Sequence, residues 1–197
     1  MSSIDIYPNT KAFIFDLDGT LADTMPLHYE AWNRTAEIMG VKYSNDFLRS
    51  CAGMPSAKII DLLNKKNNHC IDPQEFSNLK EEFFLKEMHK IKEILPVTNL
   101  VYKYHGQMPM SVGTGGKRNI AEETLKILEL DKYIKILVSA DDVQKHKPEP
   151  ETFLKCADLM GIAPENCQVF EDGILGIQAA ETAGMMVTDV TPFYLNH

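Results

Sequence analysis

Ala12 to Phe15 is a short uninterrupted apolar run, and it ends in Asp16-Leu17-Asp18-Gly19-Thr20. An apolar run of that length between polar flanks predicts a buried strand. Beyond it the rhythm becomes helical. Asp23-Thr24-Met25-Pro26 reads as a helix start, with Asp23 or Thr24 as cap and Pro26 in the first turn. Leu27, Ala31, Thr35 and Ile38 follow at helical spacing, and Gly40 suits the stop. Lys58 to Leu63 continues the helical pattern. A further helix opens at Asp72-Pro73-Gln74-Glu75, a candidate capping box, and its apolar positions Phe76, Leu79 and Phe83 extend it to about Ile94, just before Pro96. No strand-like run interrupts Leu27 to about Ile91.

After Pro96 strands and helices alternate. Strands are predicted at Met108–Val112, Ile134–Val138, Gln168–Phe170 and Met185–Val190. Helices are predicted through Ile120, Thr124, Ile127 and Leu128, from Glu151 through Phe153, Ala157 and Met160, and over Ile174–Ala183 before Gly184. This alternation predicts an α/β fold, a parallel sheet with helices on both faces, and the helical region is inserted after its first strand. There are no repeats and no low-complexity tract.

Composition narrows the class. The chain has 197 residues, 44% of them hydrophobic, enough for one domain or a domain plus a small insert. No apolar run approaches the ~20 residues that span a bilayer, and Met1-Ser2-Ser3-Ile4-Asp5 lacks the features of a signal peptide. Cys51, Cys70, Cys156 and Cys167 form no C-x-x-C pair and read as reduced thiols of a cytoplasmic protein. The net charge of −8 and the absence of a basic block argue against nucleic acid and anionic membranes as partners. A small anionic substrate would then need individual lysines and a bound cation to offset the overall field.

The candidate chemistry lies where strands end. Side chains at i and i+2 of a strand point the same way, so Asp16 and Asp18 project together from the carboxyl end, where open α/β sheets bind ligands. Two carboxylates that close want a cation, a shared proton, or both. Gly113-Thr114-Gly115-Gly116 offers a hydroxyl and N–H groups for an anion. Lys147 sits in the proline-stiffened segment His146-Lys147-Pro148-Glu149-Pro150. Glu171-Asp172-Gly173 repeats the acidic strand end and supplies ligands that Mg²⁺ accepts. Two acids, a hydroxyl, a cation and a further acidic pair form an inventory suited to phosphoryl transfer.

These four segments, in this order and over nearly the whole length, resemble the signatures of haloacid dehalogenase (HAD) superfamily phosphatases. Phe15–Thr24 and Val169–Gly184 resemble the β-phosphoglucomutase-like branch, and Gly113-Thr114-Gly115 with His146-Lys147-Pro148 resembles its fructose-1-phosphatase-like members. The resemblance implies a Rossmann-like HAD core over residues 1–23 and 92–197 and a mobile helical cap over residues 24–91. It also implies a set of roles. Asp16 would be the nucleophile that forms an aspartyl phosphate, and Asp18 the general acid and then base. Mg²⁺ would be held by the Asp16 carboxylate, the Asp18 carbonyl and Asp172, with Glu171 near or in that shell. Thr114, Lys147 and the N–H groups of Leu17 and Gly115 would hold the phosphoryl group. The superfamily's dehalogenases lack the second aspartate, so Asp18 argues for an oxygen leaving group, and Thr20 is common in its phosphatases.

The expected substrate is a sugar phosphate such as fructose 1-phosphate. The alternative within the fold is a β-phosphoglucomutase, and the alternative outside catalysis is a binding protein on a dead scaffold, which the intact Asp16, Asp18 and Lys147 disfavour. His28 on the first cap helix is a candidate substrate contact by resemblance. Ser56 stands where the mutases carry an arginine for the second phosphate. The next mutase cap lysine aligns with Phe83, with Lys80 and Lys86 close by. Loss of a fixed distal cation favours hydrolysis of a monophosphate over phosphate migration. A monomer is the simplest expectation for a cap that must swing.

Overall fold

The computed structural model describes residues 4–51, 54–67 and 70–194. Met1, Ser2 and Ser3 of the N-terminal reading, and Ala52 and Gly53 of the loop before Ser56, lie outside the described residues.

Five strands form one parallel sheet: β1 Ala12–Phe15, β2 Met110–Gly113, β3 Ile136–Val138, β4 Cys167–Glu171 and β5 Met186–Asp189, in the order β3-β2-β1-β4-β5. This is the Rossmann-like arrangement expected from the alternation. Each of the four residues of β1 is buried because helices cover both faces. Phe13 and Phe15 belong to the apolar cluster of one face, and Ala12 and Ile14 to that of the other, as the two-residue period of a strand requires. β1 lies between β2 and β4, so the strand order reverses there, and a crevice opens at the carboxyl ends of the three strands.

Between β1 and β2 the chain forms α1 Met25–Met39, α2 Asn45–Ser50, α3 Ser56–Asn67, α4 Pro73–Glu87 and α5 Leu95–Tyr104. The core's remaining helices are α6 Arg118–Ile127, α7 Glu151–Met160 and α8 Ile174–Thr182. The first four helices share a separate apolar cluster that includes Trp32, Leu48, Ile59, Ile60, Leu63 and Phe76. The excursion leaves and returns side by side: Ala22 bridges Glu93, Asp23 N–H donates to the Lys92 carbonyl, and Ile94 N–H donates to Leu21.

The helix after Asp72 is shorter than its apolar spacing predicts. Asp72 caps it, accepting from the N–H groups of Gln74 and Glu75 at 2.8 and 3.0 Å, but it ends at Glu87 and a 3₁₀ turn over Met88–Lys90 follows. Met88, Ile91 and Ile94 are buried at intervals of three, which mimics a helical face although the chain there turns back toward Leu21. Pro96 does not stop a helix but starts α5, occupying a first-turn position where its missing N–H costs nothing. The short α2 had no sequence expectation. Of the predicted stripe on α1, Ala31 and Thr35 are buried and Leu27 packs against the core, but Ile38 is 63% exposed; Trp32 and Ala36 complete the buried face instead. All four cysteines are free thiols, with Cys70 exposed and the others buried. Among the described residues no helix is long and apolar enough to cross a membrane.

Candidate active site

Asp16 follows β1, Thr114 follows β2 and Glu171 ends β4, so the sheet itself brings these residues to one edge. Lys147 arrives from the loop after β3 and is only 1% exposed. Its Nζ lies 2.7 Å from Asp16 Oδ1 and 2.9 Å from Glu171 Oε1, and 4.6 Å from the centre of the Phe153 ring. Burial pulls the ammonium's pKa down, but the attraction of both carboxylates exceeds that and leaves it raised. Glu171 also accepts, through Oε2, from the N–H groups of Asp172 and Gly173 at 2.6 and 2.8 Å. It therefore ties the lysine to the start of α8. Helix α8 passes so close that a Cβ on Gly176 would overlap the Glu171 carboxylate. Gly19 meets Asp172 in the same way and has φ +91°, a conformation that a side chain resists.

One oxygen each of Asp16, Glu171 and Asp172 lies within 4.8 Å of the other two. Burial and the Glu171 charge raise the Asp16 carboxyl well above the usual range, despite Lys147. The same two causes, burial first, raise Asp172 to about 7, against a hydrogen bond from Thr20 at 3.0 Å. Three acids against a single ammonium leave excess negative charge in a poorly solvated spot. The donors are hard oxygens, which fit a cation such as Mg²⁺. Both Glu171 oxygens already accept from protein donors, so Asp16 and Asp172 are the better-placed ligands.

Asp18 looks toward the helical insert instead. Its Oδ1 accepts from Thr24 Oγ1 at 2.7 Å and contacts His28 Nε2 at 3.3 Å, and its Oδ2 lies 3.5 Å from Thr114 Oγ1. The Thr24 hydroxyl thus serves Asp18 rather than capping α1. Burial pushes the Asp18 carboxyl up, but the His28 and Thr24 contacts and the Lys80 charge prevail and hold it at about 2. His28 stacks on Phe84 with ring centres 4.1 Å apart, and its Nδ1 faces Lys80 Nζ at 2.8 Å. An ammonium can only donate, so Nδ1 accepts and Nε2 carries the proton given to Asp18. Burial, then the neighbouring Lys80, lowers the His28 pKa, in keeping with a neutral ring.

A cavity of about 330 Å³ separates these groups from the insert. Asp16, Asp18, Thr114, Gly115, Glu171 and Asp172 line its core side, and His28, Trp32, Ser56, Lys80, Glu81 and Phe84 line the other. Lys147 and Leu17 do not line it; Lys147 lies behind Asp16 and Glu171. The N–H groups of Leu17 and Gly115 donate to no acceptor among the described residues.

Lys80 is the functional candidate that the sequence reading passed over by aligning Phe83. Phe83 packs into the core cluster with the Arg34 guanidinium over its ring at 4.4 Å, and Lys86 lies over the same ring. The available signal was periodicity. Phe76, Lys80 and Phe84 are four residues apart, and a lysine between two buried phenylalanines on one helix face needs a reason. Burial lowers its pKa to about 8.

Residues 13–190 match the family model described as haloacid dehalogenase-like hydrolase. The chain is 40% identical over 185 residues to fructose-1-phosphate phosphatase YqaB of Escherichia coli K12, covering 94% of this chain and 98% of that protein. It is 33% identical to the phosphorylated carbohydrates phosphatase of Thermotoga maritima, covering 89% and 82%. The crystal structure of a β-phosphoglucomutase from Clostridium difficile superposes with a TM-score of 0.79 at 24% identity, covering 90% of this chain and 83% of that one, and so shares the fold. The chain belongs to the haloacid dehalogenase-like hydrolase family, and its enzymatic class is phosphoric monoester hydrolase. The resemblance to the β-phosphoglucomutase-like branch holds accordingly.

Proposed function

We propose that the chain is a Mg²⁺-dependent phosphatase of a small sugar phosphate, a hexose phosphate such as fructose 1-phosphate. The observation that carries this is the division of labour between the two aspartates. Asp16 is anchored on a buried lysine among metal-type carboxylates, and Asp18 is turned toward a hydroxyl, an imidazole and the cavity. The relative from E. coli, named for fructose 1-phosphate, supports the substrate class.

Asp16, with an oxygen already oriented by Lys147, attacks phosphorus and forms an aspartyl phosphate. Asp18 gives a proton to the departing sugar oxygen and later takes one from the water that releases phosphate. Its low pKa makes it the base as it stands; a phosphate dianion beside it raises that pKa toward the acid role. Thr114 and the N–H groups of Leu17 and Gly115 receive the phosphoryl oxygens. Lys147 sustains the negative charge of Asp16 from behind rather than from the cavity. Asp16, Asp172 and the Asp18 carbonyl would hold Mg²⁺, which neutralises phosphate charge when bound. Residues 24–91 act as a cap over a core of residues 1–23 and 92–197, hinged where Ala22 pairs with Glu93.

The mutase reading gains one observation, Lys80 in the cavity, but that ammonium is engaged by His28. Phosphate release across a panel of sugar phosphates with Mg²⁺, with β-glucose 1-phosphate isomerisation followed in parallel, tests the proposal. Release from hexose monophosphates is expected. Glucose 6-phosphate formed without free phosphate would overturn it.

The raised carboxyls predict how the metal-free protein responds to pH. Asp172 has a folded pKa of about 7 against ~4 unfolded. Between those values the folded state holds more protons than the unfolded one, so stability falls as pH rises. The metal-free melting temperature should therefore drop from pH 5 to pH 7.5, and added Mg²⁺ should restore most where the drop is largest. Asp172→Asn should flatten both dependences in differential scanning fluorimetry; an unchanged pH slope in that variant would remove Asp172 as its source.

A further inference from the structure

We propose that Glu81 determines which substrates this enzyme accepts, by holding Lys117 across the cap–core gap and presenting negative charge to the substrate's distal end, so that a neutral hydroxylated end is admitted and a second phosphate is refused. The inference rests on the phosphatase reading above and deepens it.

Glu81 lies on α4, one residue beyond Lys80, and lines the same cavity. One carboxylate oxygen pairs with Lys117 Nζ at the start of α6, and the other accepts from Asn119 Nδ2 at 3.3 Å. A cap carboxylate is thus fixed by two donors from the core. It is 19% exposed, so this charge is poorly screened.

Among the described residues, two lysines line the cavity. Lys80 donates to the neutral His28 ring, on the Asp18 side of the cavity, and Lys117 is ion-paired with Glu81. A monophosphate spends its charge at the Asp16 end. A bisphosphate would bring a second dianion against Glu81, whose neighbouring cation Lys117 is already engaged by that carboxylate. Like charge facing a partly buried, fixed carboxylate is an effective way to exclude a near-identical competitor. Sugar hydroxyls, by contrast, can donate to a carboxylate.

The readout is the ratio of kcat/KM for fructose 1,6-bisphosphate to that for fructose 1-phosphate. Wild type should favour the monophosphate. Glu81→Gln removes the charge and releases Lys117, and should raise the ratio roughly tenfold or more, mainly through a lower KM for the bisphosphate. Glu81→Asp, which keeps the charge, should keep the wild-type ratio even if both rates fall. Adding Lys117→Met to Glu81→Gln should return most of the gain, because the freed ammonium supplies it. A Glu81→Gln ratio within about twofold of wild type, with both substrates scaled alike, would reduce Glu81 to a structural link and overturn the proposal. If wild type releases no phosphate from fructose 1-phosphate, the substrate reading fails separately. The two compounds' inhibition constants against p-nitrophenyl phosphate turnover then give the same ratio in the same variants.

Discussion

Asp16→Asn should abolish p-nitrophenyl phosphate turnover, by roughly 10⁴-fold or more, the scale on which loss of a nucleophile acts, while leaving the protein folded. The amide keeps the shape of the carboxylate but cannot form an acyl phosphate. Folding should survive because Asp16 is buried beside Glu171 and Asp172, which raise its pKa; a neutral group there removes repulsion. Lys147 retains Glu171 at 2.9 Å. The metal-free variant should therefore melt no lower than wild type. Steady-state turnover with Mg²⁺, alongside circular dichroism melting, checks both halves. Turnover within about tenfold of wild type in a well-folded variant would remove Asp16 from the chemistry.

Lys147→Met should damage stability and activity together. Met preserves most of the volume, so the loss is electrostatic. It leaves Asp16 and Glu171 buried without their ammonium, and breaking a buried ion pair from one side costs about 3–5 kcal/mol. Without the ammonium the Asp16 carboxyl rises further in pKa. The folded variant then holds more protons than its unfolded chain over a wider range, and its deficit grows as pH rises. Urea denaturation at pH 5.5 and 7.5 should show the larger loss at pH 7.5. Phosphate release should fall roughly 10²-fold or more, since Asp16 no longer stays ionised and oriented. Wild-type stability at pH 7.5 would overturn the Lys147 ion pairs as a source of stability.

The sheet was legible because parallel strands buried on both faces leave short, mostly apolar runs: Ala12–Phe15 is wholly apolar, and over residues 167–170 only the buried Gln168 interrupts. Asp16, Asp18, Thr114, Glu171 and Asp172 were legible for a related reason: each follows or ends such a run. The helical insert was legible as a class but not in its joints. Pro96 has the same chemistry before a helix as after one, and spacings of three at Met88, Ile91 and Ile94 satisfy a 3₁₀ turn and a return segment as well as a helix.

Local order along the chain thus determined the α/β class, the helical insert and the carboxylates at the strand ends, because periodicity and strand direction are properties of near neighbours. The partners of those carboxylates belong to the tertiary structure. That Lys147 lies behind Asp16 instead of in the cavity, that His28 turns to Asp18 with Lys80 behind it, and that Glu81 meets Lys117 are contacts between residues 24 to 131 positions apart or on opposite sides of the cleft. Distances of this kind, and the charge balance they set, depend on how the helical insert packs against the sheet's carboxyl edge, and no spacing within a single segment encodes that.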